Sequence, residues 1–341
     1  MMTTTRRGRG LLVAAVAVVL CAGAAAPAAA EQATPRAEGV STVFFGDSYT
    51  ANFGIAPLQQ VDSEEAYCFR AQENYPAVAA RRLAAKGTAL DIASDRSCGG
   101  ALIEHFWTAQ PLLGGIATRP PQQEALGTET KLVVGSLGGN TVGFANILKQ
   151  CSQKLRDQGA LLPADPVDAD EPADQCAAFF TTGDGKDWLD YRFDKAQFEL
   201  EQLLNRIYYA APEATTVLVG YPRIVPANVA RCQNPAPGQT EKPLADIDTG
   251  ALLVFDKIQK RLNDLMRTKA DENGAVFVDL YAATDDNTAC DGADRGIGGL
   301  FENSQLQVFG TTLPWYLHPN TRGRDIQADQ VATTIQNALN R

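Results

Sequence analysis

The chain has 341 residues, with 40 acidic side chains against 30 basic ones, two histidines and seven cysteines. A formal charge of −10 opposes binding to nucleic acid or to anionic membranes. The length is generous for one domain and sufficient for a substantial buried core.

At the start of the chain, Arg6, Arg7 and Arg9 precede the apolar run LLVAAVAVVL at residues 11–20, and Ala28-Ala29-Ala30 stands before Glu31. A positive n-region, a short apolar h-region and a small-residue cleavage site form the pattern of a secretory signal peptide. We therefore expect residues 1–30 to be removed and residues 31–341 to form a single domain. That mature chain carries 27 basic and 40 acidic side chains, a formal charge of −13. No stop-transfer charges follow the apolar run and no second run is long enough to span a bilayer, so no stable membrane anchor is expected.

Export bears on the cysteines. Cys21 lies in the signal segment, leaving Cys68, Cys98, Cys151, Cys176, Cys232 and Cys290. An even number in an oxidising compartment suggests three disulfides, with several connectivities open. The spacings lack the paired short intervals of a zinc site, so no metal is expected.

Five short apolar segments, each bounded by turn residues, read as strands: Ser41–Gly46, Ala89–Ala93, Lys131–Leu137, Thr215–Tyr221 and Ala275–Leu280. Helical patterns cover Pro76–Lys86, closed by Gly87, then Trp188–Ala210, Asp246–Lys269 and Gly323–Leu339. This alternation predicts the α/β class, an open and mainly parallel sheet with helices on both faces. Residues 152–187, rich in Asp, Ala and Pro, and residues 284–312, rich in Gly, Asp and Asn, read as loop insertions at the rim.

Ligands of open α/β sheets bind outside the carboxyl ends of the strands, so the residues after each strand matter most. The first strand is followed by Gly46-Asp47-Ser48, the second by Ser97-Cys98-Gly99-Gly100-Ala101, and the third by Gly138-Gly139-Asn140. Beyond the fifth comes Trp315-Tyr316-Leu317-His318-Pro319. One rim thus receives a serine, a glycine turn, an asparagine and a histidine. A serine hydroxyl needs an adjacent base to become a nucleophile. His318, in a Pro-flanked loop opening a helix, suits that base, whereas His105 sits in a mixed apolar stretch better suited to packing. The N–H groups of Ser48 and Gly100 and the Asn140 amide could donate to a developing oxyanion.

Taken in order, Gly46-Asp47-Ser48, Gly100, Gly139-Asn140 and His318 resemble the four blocks of the SGNH hydrolases, the GDSL-type esterases and lipases, over about residues 41–338. The exported, Cys-rich form with Trp-Tyr-Leu-His resembles their secreted actinobacterial members. The resemblance implies a three-layer α/β/α sandwich with a five-stranded parallel sheet, a flavodoxin-like arrangement, and a serine-ester mechanism without a required cofactor. It implies Ser48 as nucleophile and first oxyanion donor, Gly100 and Asn140 as the other donors, and His318 as base.

The chain departs from that pattern at three places. Tyr49 stands where Leu is usual, a minor change beside a nucleophile. Thr141 stands where Asp commonly follows the asparagine, so a loop-fixing contact differs. Trp315 occupies the position, three residues before the histidine, where the family usually has its orienting Asp. A peptide carbonyl can accept the Nδ1–H bond instead, so the Trp315 main-chain oxygen is the expected orienter of a Ser–His dyad. Asp279 and Asp325 are the alternatives near in sequence. The implied strand order, 2-1-3-4-5, puts Cys68 and Cys98 after neighbouring strands, and likewise Cys232 and Cys290. It thereby favours the pairs Cys68–Cys98 and Cys232–Cys290, while Cys151 and Cys176, near the edges of the 152–187 insertion, are expected to pair and staple it.

The expectation is a secreted, monomeric serine esterase or lipase acting on a small-molecule, lipid or acylated-glycan ester. A carbohydrate O-acetyl esterase would use the same residues. A noncatalytic surface-binding protein on this fold is the more distant alternative.

Overall fold

The computed structural model describes residues 39–60, 63–158, 164–308 and 310–340. The expected signal peptide lies outside the described residues. Five strands form the central sheet: β1 (Val40–Gly46), β2 (Leu90–Asp95), β3 (Leu132–Ser136), β4 (Thr215–Val219) and β5 (Val276–Val278). All pair in parallel, in the order β2-β1-β3-β4-β5. Four long helices accompany them: α1 (Tyr75–Ala85), α2 (Asp184–Ala210), α3 (Thr249–Glu272) and α4 (Thr321–Leu339).

Side chains alternate across a strand, so consecutive apolar residues serve opposite faces. Phe44, Leu132, Val134, Val217 and Val219 pack with Val78, Leu83, Val331 and Ile335 of α1 and α4. Their neighbours Phe45, Val133 and Leu218 point the other way, into a core shared with Leu200 and Leu203 of α2 and Leu262 and Met266 of α3. The result is a three-layer α/β/α sandwich. Continuous apolar runs are what a sheet buried on both faces requires.

Side-chain caps start three of the helices. Asn74 Oδ1 accepts from Ala77 N at 3.2 Å ahead of α1, with Pro76 in its first turn. Asp248 accepts from Gly250 N and Ala251 N ahead of α3, and Asn320 accepts from Arg322 N and Gly323 N ahead of α4. Each cap satisfies N–H groups that have no partner within the helix.

The helical segments read from the sequence shift at their starts. Helix α2 begins at Asp184 rather than Trp188, because the polar first turn carries no apolar periodicity. Helix α3 begins after Asp246, whose carboxylate is taken up by Ser152 Oγ (2.5 Å) and Lys154 N (3.0 Å). The insertion at 284–312 is not purely loop. Asn303–Val308 pairs antiparallel with Thr311–Pro314, the second strand running on past the insertion. A second small hairpin, Gln110–Leu112 with Ala117–Arg119, arises where the sequence offered too few alternating residues to mark one. The insertion at 152–187 holds the short helices Gln153–Asp157 and Cys176–Thr181.

Three disulfides join Cys68 to Cys98, Cys151 to Cys176 and Cys232 to Cys290, closing sequence separations of 30, 25 and 58 residues. Cross-linking chiefly restricts the unfolded chain, and the restriction grows slowly with loop length. Replacing Cys232 and Cys290 together by Ala should therefore lower the unfolding free energy by about 4 kcal/mol. Urea denaturation would detect this as an earlier midpoint.

Candidate active site

The β1 strand ends in a turn that only glycine fits. Gly46 has φ 152°, and a Cβ there would collide with the Thr50 side chain. Its peptide is held on both sides: Gln122 Oε1 accepts from Gly46 N (2.8 Å) and Gln122 Nε2 donates to Gly46 O (2.9 Å). Cys98 N also donates to Gly46 O (3.0 Å), which ties the loop after β2 to the end of β1. Asp47 then caps the short helix Ser48–Ala51, its Oδ1 accepting from Tyr49 N at 2.9 Å. Ser48 is the first helical residue, so its hydroxyl stands at the rim of the sheet.

Asp47 is buried, and burial pushes its carboxyl up to about 6. Its Oδ2 accepts from Tyr221 Oη (2.6 Å), and that same oxygen of Tyr221 accepts from Gly139 N (2.9 Å). The residue before Ser48 is thus linked through Tyr221 to the loop carrying Asn140. The Asn140 Nδ2 donates to Ala101 O (3.1 Å), which orients its amide beside the Gly100 turn. Thr141 Oγ1, in place of a carboxylate, accepts from Ile103 N (2.9 Å) and stitches the same two loops together. Neither Ser48 N–H nor Gly100 N–H has a hydrogen-bond partner among the described residues. The loops that carry Ser48, Gly100 and Asn140 are therefore tied to one another by this network.

His318 reaches this rim from the loop before α4. Its Nε2 lies 2.8 Å from Ser48 Oγ. Its Nδ1 lies 2.9 Å from Trp315 O and 3.1 Å from Tyr316 O. Carbonyls only accept, so Nδ1 carries the hydrogen and Nε2 presents its lone pair to the serine hydroxyl. The imidazole sits between the rings of Tyr49 and Phe53, with centroids at 4.8 and 5.0 Å. Desolvation holds its pKa down, at about 4, against the opposing pull of the two carbonyls. A neutral imidazole facing a serine hydroxyl, on a residue whose own N–H has no partner among the described residues, is an arrangement able to abstract a proton and to donate to an oxyanion.

The remaining sequence candidates lie elsewhere in structural roles. His105 is buried in a single 3₁₀ turn, and its Nδ1 accepts from Leu102 N (3.0 Å). Asp279 caps the helix Leu280–Ala283 and pairs with Arg267. Asp325 accepts from Arg324 Nε at 2.9 Å and lies 3.6 Å from Arg82 Nη2. Neither carboxylate bonds the imidazole. Trp315 is buried against Gly54 and Gly298, and Phe144 lies edge-on to Phe255 at 5.3 Å. The described residues contain no cluster of three or more His, Cys, Asp or Glu able to hold a metal, and no helix long and apolar enough to cross a membrane.

Sequence reasoning missed Gln122, Tyr221 and Tyr316. Tyr221 was visible only as the end of a strand, and Gln122 lies in a stretch with no marked pattern. The partner of Gln122 is 76 residues away and those of Tyr221 are 82 and 174 away, so no local pattern marks them, and the Tyr316 carbonyl reaches His318 only through the conformation of its turn.

Comparison with known proteins supplies an independent view. Residues 44–326 match the model of the GDSL-like Lipase/Acylhydrolase family. An esterase of Streptomyces scabiei is 61% identical over 333 residues, covering 98% of this chain and 96% of that protein. Lipase 2 of Streptomyces coelicolor is 32% identical over 323 residues, covering 92% and 90%. Among solved structures, phospholipase A1 from Streptomyces albidoflavus superposes with a TM-score of 0.56 at 21% identity, over 88% of this chain and 99% of that one.

Proposed function

The chain belongs to the GDSL-like lipase/acylhydrolase family and is a carboxylic ester hydrolase with the SGNH hydrolase fold; from this we propose that it is a secreted enzyme whose acyl-enzyme forms on Ser48. In this reading Ser48 Oγ attacks the ester carbonyl carbon while His318 Nε2 takes its proton. The tetrahedral oxyanion accepts from the N–H groups of Ser48 and Gly100 and from the Asn140 amide. Collapse breaks the bond to the alcohol, which leaves with the proton from His318. Water then attacks the acyl-enzyme with His318 again as base, and releases the carboxylic acid. The Trp315 carbonyl, joined by that of Tyr316, orients the imidazole in place of a carboxylate. A neutral dipole stabilises the imidazolium less than a charge would, so a larger share of the catalysis falls to the oxyanion donors.

The observation that carries this reading is the 2.8 Å contact between His318 Nε2 and Ser48 Oγ, with Nδ1 held on carbonyls at its far side. In the same proposal residues 1–30 are an export signal, residues 31–341 act as a single monomeric domain, and the three disulfides stiffen it outside the cell. The test is hydrolysis of short-chain and long-chain p-nitrophenyl esters, a phospholipid and an acetylated sugar by the oxidised protein. The most rapidly cleaved member of that panel identifies the ester class. Mass spectrometry after phosphonate treatment should find the adduct on Ser48; an adduct on another serine would refute the assignment.

The pH dependence has a definite sign. Only neutral imidazole can accept the Ser48 proton, and desolvation holds the imidazolium pKa at about 4. Values of kcat/KM should stay level as pH falls through the ordinary histidine range and drop only as it passes about 4. An acid limb centred near the unperturbed histidine value would show that the site is wetter than the packing of Tyr49 and Phe53 implies.

A further inference from the structure

The turn that orients His318 has an unusual backbone. Tyr316 and Leu317 adopt successive left-handed conformations, with φ 47° and 61°. Side-chain-bearing residues disfavour that region, most of all in succession, so the surroundings must hold the turn. The turn matters because it aims two carbonyls, of Trp315 and Tyr316, at Nδ1. A carboxylate on a side chain could adjust by rotating. A peptide carbonyl is aimed only by its own backbone.

Several contacts hold the ends of this turn. His318 N donates to Trp315 O (3.0 Å), and Gly298 N donates to His318 O (3.0 Å). The Trp315 ring lies directly against Gly298, where any Cβ would collide with it. The Leu317 carbonyl, at the second left-handed residue, instead accepts from Tyr49 Oη at 2.8 Å. Tyr49 is covalently next to Ser48, and its ring also flanks the imidazole at 4.8 Å and meets Tyr221 edge-on at 5.2 Å. One side chain therefore connects the serine's own helix to the backbone that orients the base.

We infer that Tyr49 is a positioning residue for this reaction: its hydroxyl, donating to the Leu317 carbonyl, fixes the left-handed turn whose carbonyls orient His318 toward Ser48. The inference rests on the reading of Ser48 and His318 as nucleophile and base, and extends it to a residue adjoining the nucleophile. In this chain the orienting group is backbone, and the residue after the serine supplies the clamp that keeps that backbone in place.

The test is Tyr49→Phe, which keeps the ring and its packing and removes only the donor. Loss of one positioning hydrogen bond should lower kcat about tenfold and leave KM within about twofold. The second readout is the downfield proton resonance of His318 Nδ1–H, which does not depend on turnover. It should be sharp in the unsubstituted protein and broadened by solvent exchange in Tyr49→Phe. An unchanged kcat, a loss confined to KM, or a loss of kcat with the Nδ1–H resonance intact would each overturn the inference. If Tyr49→Phe fails to fold, 3-fluorotyrosine at position 49 keeps the shape and strengthens the donor, and an unshifted Nδ1–H resonance there would be fatal. Failure of the underlying dyad is recognised separately, because His318→Ala would then retain full activity.

Discussion

Replacing Ser48 with Ala is expected to lower kcat by about 10⁶-fold with the fold intact, on the scale seen when a serine hydrolase loses its nucleophile. That factor corresponds to about 8 kcal/mol of transition-state stabilisation. Among the described residues the hydroxyl makes one hydrogen bond, to His318 Nε2, so its removal leaves only that ring nitrogen without its partner. The Ser48 N–H, the Gly100 N–H and the Asn140 amide remain, and an attacking water aided by His318 should give a small residual rate. The melting temperature should move by no more than a few degrees, on the scale expected for a rim substitution. Turnover of a p-nitrophenyl ester measured beside a thermal melt checks both. A Ser48→Ala protein that still turns over at a tenth of the original rate would mean the acyl group is carried elsewhere.

His318→Ala should be nearly as severe, about 10⁵- to 10⁶-fold in kcat, because an unassisted serine hydroxyl is almost entirely protonated at neutral pH. Its residual activity should rise with pH as hydroxide replaces the missing base. The double substitution Ser48→Ala with His318→Ala should be little worse than either alone, since the two side chains act as a unit. Asp325→Ala is the contrasting case. Its carboxylate is spent on Arg324 and Arg82 and does not touch the imidazole, so kcat should stay within about twofold. Losses that added independently, or a collapse of activity in Asp325→Ala, would point to a different base or a different orienter.

How much of the site was legible depends on how far its parts lie from one another in the chain. Ser48, Gly100 and Asn140 each follow a strand within a few residues, and His318 opens a helix, so strand-end chemistry exposes all four. The loss of Asp at position 315 was equally plain, and a main-chain orienter was a natural consequence. That a second carbonyl, of Tyr316, would join it was not readable, because it depends on two residues adopting left-handed φ. Tyr49 reads in the sequence as a minor change beside the serine. In the fold its hydroxyl reaches a carbonyl 268 positions away. The Asp47–Tyr221–Gly139 relay was hidden for the same reason.

By itself the sequence determined the α/β class: apolar runs short enough to be strands, helical stretches between them, and an alternation that points to an open, mainly parallel sheet with helices on both faces. These are local signals, set by side-chain periodicity and by capping residues such as Asn74, Asp248 and Asn320. The pairing in space of Gln122 with Gly46, of Tyr221 with Asp47 and of Tyr49 with Leu317 was decided only by the tertiary structure. So was the small hairpin of Asn303–Val308 with Thr311–Pro314. A hydrogen bond between distant residues leaves no period in the sequence. Only the packed sheet brings its donor and acceptor within about 3 Å of each other.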